Sequence, residues 1–140
     1  MIRSKRSYTT FSERAMKRSE FAAWCHSGVH LLDGAAGSNF MRAGMPRGVC
    51  AEQWVLEHPQ VAQALIGQYA AAGSEIVYAP TFCANRRALG DFGLADRLHQ
   101  MNLALVRLAR EAAGADVLVA GDMTTLGRPV EEEGAHSYDA

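Results

Sequence analysis

The sequence has little with which to lock a small fold covalently. It holds three cysteines in 140 residues, Cys25, Cys50 and Cys83, and no CxxC pair. An odd, scattered set of thiols excludes a disulfide framework and fits a reducing compartment. Charge of one sign is also lacking. The formal net charge of −1 gives the whole molecule no electrostatic drive toward nucleic acid or an anionic membrane. No apolar run approaches the roughly 20 residues that a spanning helix needs. The first residues lack the apolar core of a secretory signal, so the expected location is cytoplasmic. The histidines, His26, His30, His58, His99 and His136, fall at no metal-ligand spacing, and His99 is expected at the surface or the core edge.

What is present is an ordinary globular composition, 49% hydrophobic and 21% charged. The charge is unevenly placed. Arg3, Lys5, Arg6, Arg14, Lys17 and Arg18 precede the first apolar strand, against Glu13 and Glu20. Such a stretch reads as a solvated leader, with a targeting or RNA-binding arm as the sharper alternative. We divide the chain into residues 1–27, a basic leader and a short helix over Ser19–Cys25, and residues 28–140, the domain proper.

The clearest signal is a repeat. Ala71-Ala72-Gly73-Ser74-Glu75-Ile76-Val77 recurs as Ala112-Ala113-Gly114-Ala115-Asp116-Val117-Leu118. In each copy a helix runs into Ala-Ala, a glycine at the left-handed C′ position stops it, and an apolar strand follows. The runs Ile76–Ala79 and Val117–Ala120 lack polar alternation, as strands buried on both faces do. Pro59 suits the first turn of a helix whose apolar face is Val61, Leu65, Tyr69 and Ala72. A second helix carries Leu94, Leu98, Met101, Leu105, Leu108 and Ala112 on one stripe, leaving Arg107, Arg110 and Glu111 to solvent. Val29-His30-Leu31-Leu32 reads as an earlier strand. Strands alternating with helices predict a parallel sheet with right-handed crossovers. His136–Ala140 looks like another helix start with Ser137 as N-cap, so the pattern reads as the opening of a larger domain.

In such folds ligands meet the loops at the C-terminal ends of strands. Here these are Asp33–Asn39, Pro80–Arg86 and Gly121–Thr125. Asp33 can hold a ligand amine, or it can be an Asx-turn cap that shapes the loop. Gly34 allows close backbone approach. Thr81 and Asp122 hold the equivalent places after the next two strands. Gly34-Ala35-Ala36-Gly37-Ser38 is a weak match to a phosphate-cradling loop, without the lysine of a P-loop or a third dinucleotide glycine. A nucleotide-binding α/β domain would rest on it alone. Arg86-Arg87 could hold an anion, with surface salt-bridging as the plainer reading. Cys50 and Cys83 could join a zinc site, but isolated cysteines usually act as small buried hydrophobes.

Several of these segments, taken in order, resemble one family. They are Leu31-Leu32-Asp33-Gly34-Ala35-Ala36-Gly37-Ser38, then Cys50-Ala51-Glu52-Gln53-Trp54 through His58-Pro59. Next come Ala72–Val77 with Thr81-Phe82-Cys83-Ala84-Asn85-Arg86, and finally Leu103–Gly121. Together they are similar to the homocysteine S-methyltransferases, including the homocysteine-binding domain of cobalamin-dependent methionine synthase. The resemblance runs from about Leu31 to about Arg128. It implies an α/β fold, the N-terminal part (about three βα units) of a (βα)8 barrel with parallel strands. It implies zinc-dependent methyl transfer to a thiol such as homocysteine, a small-molecule amino-acid substrate, and a corrinoid protein or cobalamin as one source of the methyl group. Asp33, Gly34, Thr81 and Asp122 are the expected substrate-binding residues. The family's zinc cysteines come from late barrel strands, and Cys25, Cys50 and Cys83 do not correspond to them. No catalytic or metal-ligating residue, and no zinc, is therefore expected in this chain, which should be inactive alone. The alternative is a partial-barrel binding or assembly module, self-associating through its open sheet edge. The chain departs from the family at Tyr78, Pro80, Cys83 and Asp122, in the loops that meet substrate.

Overall fold

The structure is a computed structural model and describes residues 16–125. Most of the basic leader and the expected helix start at Ser137 lie outside the described residues. Six α-helices and two strands follow one another as α1 (Arg18–Cys25), α2 (Gly37–Arg42), α3 (Ala51–Glu57), α4 (Pro59–Ala72), β1 (Ile76–Tyr78), α5 (Arg86–Gly90), α6 (Leu98–Ala113) and β2 (Leu118–Ala120), with a 3-10 turn over Ala95–Arg97. No described helix is long and apolar enough to cross a membrane.

β1 and β2 pair in parallel, with Ile76 opposite Leu118, Val77 opposite Val119 and Tyr78 opposite Ala120. Both strands are a residue shorter than the apolar runs that predict them. The expected first strand, Val29–Leu32, is reduced to a single parallel bridge between Leu32 and Ile76. Backbone bonds from Glu75 to Leu31 (2.8 Å) and from Asp33 to Ile76 (3.0 Å) still hold it alongside β1. Val29, at the start of that segment, is 94% exposed. The spatial order is Leu32, β1, β2, the sequence order expected of consecutive parallel units.

The core lies on the side of the sheet that faces α4 and α6. Val77 of β1 is fully buried there with Ala62 and Ile66 of α4 and Leu105, Leu108, Ala109 and Ala113 of α6. Trp54 and Val55 of α3 and Phe40 of α2 close its end. A smaller cluster, Cys50, Leu89, Leu94 and Met101, sits under α5. Leu94 belongs to this second cluster and precedes α6, which explains why its stripe continues beyond the helix.

The two glycine stops differ. Gly73 takes φ 106° and ψ 15°, the left-handed cap that the sequence predicts. Gly114 has φ 80° but ψ 177°, an extended glycine conformation rather than a left-handed cap. Arg110 is also less free than its place off the stripe suggests, because its guanidinium donates to the Val117 carbonyl at 3.2 Å and tethers α6 to the strand that follows. A Cβ at Gly73 meets no neighbour, so Gly73→Ala isolates backbone strain. We expect a loss of about 1–2 kcal/mol in a urea melt.

Candidate functional site

The site is built at the C-terminal ends of the three strand segments. Asp33 follows Leu32 directly, and its Oδ2 accepts the Tyr78 backbone N–H at 2.9 Å. This bond crosses from the first segment to the end of β1 and fixes the carboxylate in the sheet. Its other oxygen, Oδ1, is buried and has no hydrogen-bond partner. A buried carboxylate oxygen without a donor is unfavourable by the desolvation of that atom. Burial is the main cause that raises the Asp33 pKa, the Tyr78 and Asp33 N–H groups pull it down, and the nearby Asp122 charge raises it further. One carboxylate oxygen of Asp33 thus ties the loop to the end of β1, and the other has no donor among the described residues.

Gly34 has a packing reason for being glycine. A Cβ there would lie 2.9 Å from the Tyr69 hydroxyl oxygen and 3.1 Å from its Cε1. That hydroxyl donates to the Ala35 carbonyl at 3.0 Å, so α4 reaches up to hold the loop that carries Asp33. The close approach at Gly34 is to Tyr69.

Thr81 is buried, and its hydroxyl joins two loops. It donates to the Asp122 carbonyl at 2.9 Å and accepts the Asp122 N–H at 3.0 Å. Thr124 N–H to the Phe82 carbonyl, at 3.0 Å, extends the clasp. With its donor and one acceptor committed to backbone, Thr81 acts on the site by holding Asp122 in place. Thr81→Val keeps the shape and removes both bonds. The expected loss is about 1–3 kcal/mol of unfolding free energy in a denaturant titration.

Glu52 is the residue that sequence reasoning did not single out. It is only 4% exposed, in the first turn of α3. One carboxylate oxygen accepts the Cys83 N–H at 2.7 Å, and the other lies 3.6 Å from the Cys50 thiol that donates to it. An acid in a first helical turn ordinarily complements the helix dipole in solvent, and that expectation hides it. The usable signal was its place between Cys50 and Trp54, both buried. Asn85 caps α5 through Oδ1, which accepts the Ala88 N–H at 2.9 Å, while its Nδ2 is buried without a partner. Arg86 and Arg87 are exposed.

Zinc was tested against the donors present. Among the described residues no three His, Cys, Asp or Glu side chains group as a metal site. Cys25 is exposed, and Cys50 and Cys83 flank Glu52. Burial, the largest cause, pushes both the Cys50 and Cys83 thiols up; the Glu52 charge adds to it at each, while the Gln53 N–H pulls Cys50 down. The described residues do not fit a zinc centre.

A sequence model of the homocysteine S-methyltransferases matches residues 30–140. No curated protein matches the chain. Among solved structures, the metallated form of the homocysteine methyltransferase MmuM from Escherichia coli is similar, with 24% identity and a TM-score of 0.63 over 75% of this chain and 41% of that one. Its oxidised form is 22% identical, with a TM-score of 0.60 over 74% and 40%. At such identities the likeness shows a shared fold, and this chain spans about two-fifths of MmuM's length. The family match covers the strand ends, the glycine-stopped helices and both loops that hold Asp33 and Asp122. The chain belongs to the homocysteine S-methyltransferase family.

Proposed function

We propose that this chain carries the amino-acid-binding side of a methyl transfer to a thiol such as homocysteine, on the first three βα units of a (βα)8 barrel. The observation that carries the reading is Asp33 Oδ1, a buried carboxylate oxygen without a donor at the mouth of a parallel sheet. An α-ammonium group supplies the missing donors and the missing charge together. The Asp122 carboxylate, near enough to raise the Asp33 pKa, adds negative potential on the same face. Thr81 fixes the Asp122 backbone and Glu52 fixes the Cys83 backbone, so two loops are rigid before substrate arrives.

In the family's chemistry a bound zinc ion would hold the substrate sulfur as a thiolate. The described residues do not present its ligand set, so the 140-residue chain by itself is proposed to bind the acceptor without methylating it. Calorimetry with L-homocysteine and with 4-mercaptobutyrate, which lacks the α-amino group, tests the binding claim. Binding of the first, and at least tenfold weaker binding of the second, is expected. Equal affinities would remove the role assigned to Asp33. A parallel assay for zinc-dependent methyl transfer is expected to give no turnover, and turnover would end the second half of the proposal.

An assembly role is favoured by a separate observation. The segment beside β1 leaves Leu31 59% and Leu32 48% exposed, an apolar margin next to a sheet edge. Light scattering checks it: self-association at raised concentration is the expected result, and a monomer throughout would dismiss it.

A further inference from the structure

Asp33 is tied to β1 twice, through its carboxylate to the Tyr78 N–H and through its own N–H to the Ile76 carbonyl. Gly34, Ala35 and Ala36 then cross to α2 outside any helix or strand. That crossing is gripped at one atom. The Ala35 carbonyl accepts the Tyr69 hydroxyl from α4 at 3.0 Å, and it also accepts Asn39 Nδ2 from α2. Two donors occupy both lone pairs of a carbonyl oxygen. Asn39 Nδ2 also donates to the Tyr69 oxygen at 3.4 Å, and Asn39 Oδ1 accepts Arg42 Nη1 at 3.2 Å. The polar atoms of both side chains are thereby engaged.

Both side chains are rooted in the core. Phe40, next to Asn39 on α2, is buried, with its ring centroid 6.2 Å from that of Trp54. Tyr69 packs with Leu65 against the main cluster, one turn along α4 from the buried Ile66. We propose that Tyr69 and Asn39 are positioning residues for the acceptor. They clamp the Ala35 carbonyl and so hold the Asp33 carboxylate where an α-ammonium group meets it. The inference rests on the amino-acid-binding reading above, and each residue acts through Asp33.

Asp33 lies between two fixed points, the end of β1 on one side and the Ala35 carbonyl two residues further on. Without the clamp, the segment from Gly34 to Ala36 gains conformations that ligand binding must then withdraw. That cost falls on affinity, and only for ligands that use Asp33. Tyr69 limits the loop by contact as well as by its bond, because its ring and hydroxyl crowd Gly34. Tyr69→Phe removes the bond and keeps most of the contact. Asn39→Ala removes the other donor and leaves the Tyr69 bond, so the two changes dismantle the clamp one donor at a time.

Calorimetry on the whole chain, with L-homocysteine and with 4-mercaptobutyrate, compares the parent with Tyr69→Phe, Asp33→Asn and the double variant. Tyr69→Phe should bind L-homocysteine about fivefold more weakly, as the loss of one hydrogen bond allows. Its affinity for 4-mercaptobutyrate should match the parent's. Beside Asp33→Asn, adding Tyr69→Phe should weaken L-homocysteine by less than about twofold, because the carboxylate it positions is already gone. Should Tyr69→Phe fail to fold, Asn39→Ala carries the same comparison. Equal binding of the two ligands by the parent would overturn the amino-acid reading, and the clamp's role with it. A parent that prefers L-homocysteine would leave that reading standing. The clamp alone would then be overturned by an unchanged affinity in Tyr69→Phe, by equal losses for both ligands, or by the same loss with and without Asp33→Asn.

Discussion

Asp33→Asn should abolish most of the affinity for L-homocysteine while leaving the chain folded. The amide keeps an oxygen that can accept the Tyr78 N–H, so the loop geometry survives. What it loses is the negative charge and the buried acceptor at Oδ1. Removing one partner of a buried charged pair weakens binding by about 2 kcal/mol or more, roughly thirtyfold in Kd. Calorimetry on both proteins gives the ratio directly, and a ratio near one would refute the assignment.

The same carboxyl sets a pH dependence with opposite signs for binding and folding. Burial, the largest cause, raises the folded Asp33 pKa above its ordinary value. An ammonium ligand needs the ionised form, so affinity should fall as pH drops through that raised pKa. Folding runs the other way. A carboxyl whose pKa is higher folded than unfolded contributes stability at acid pH, lost as pH rises from the unfolded value through the folded one. Asp33→Asn should therefore melt at the same temperature as the parent or slightly above it at neutral pH. A variant that binds worse and folds no worse is what a ligand-directed residue predicts.

Leu105→Ala should produce the largest loss of stability of any single change considered. Leu105 is fully buried where α6 meets the sheet, against a cluster that draws on α2, α3, α4 and β1. Truncation there removes transfer energy and leaves a cavity among helices that cannot all close on it, about 2–5 kcal/mol. Leu103, two positions earlier on the same helix, is 43% exposed and serves as the control. Leu103→Ala should change unfolding by no more than about 0.5 kcal/mol. Chemical denaturation of both variants checks the contrast, and equal losses would mean that α6 does not present the face described.

Much of the fold was legible because it rests on local patterns. The Pro59 start, the Gly73 stop and the stripe through Met101, Leu105 and Leu108 follow from helical period and cap chemistry. The unalternating runs located β1 and β2 for the same reason. Less legible were features set by partners far along the chain. Val29–Leu32 has a strand's composition, yet ladder formation needs neighbours on an edge, and only Leu32 finds one in Ile76. Gly114 matches Gly73 in sequence, yet its ψ is set by the path into β2.

The site divides in the same way. Asp33, Gly34, Thr81 and Asp122 were all placed by their positions after strands. Their separate tasks were not, because spacing does not say which hydroxyl meets a backbone or which oxygen is left over. Glu52 was hidden by its own secondary structure. A hydrogen bond between the His30 ring and the Glu75 carboxylate spans most of the first two units, beyond the reach of any local pattern.

The most direct test of the account maps L-homocysteine onto the chain by nitrogen-15 spectra at neutral pH. Shifts confined to the amides of Asp33, Gly34, Tyr78 and Asp122, all absent when the ligand is 4-mercaptobutyrate, are the predicted result. Shifts centred elsewhere, or none at saturating ligand, would contradict the claim that these strand ends form an amino-acid site.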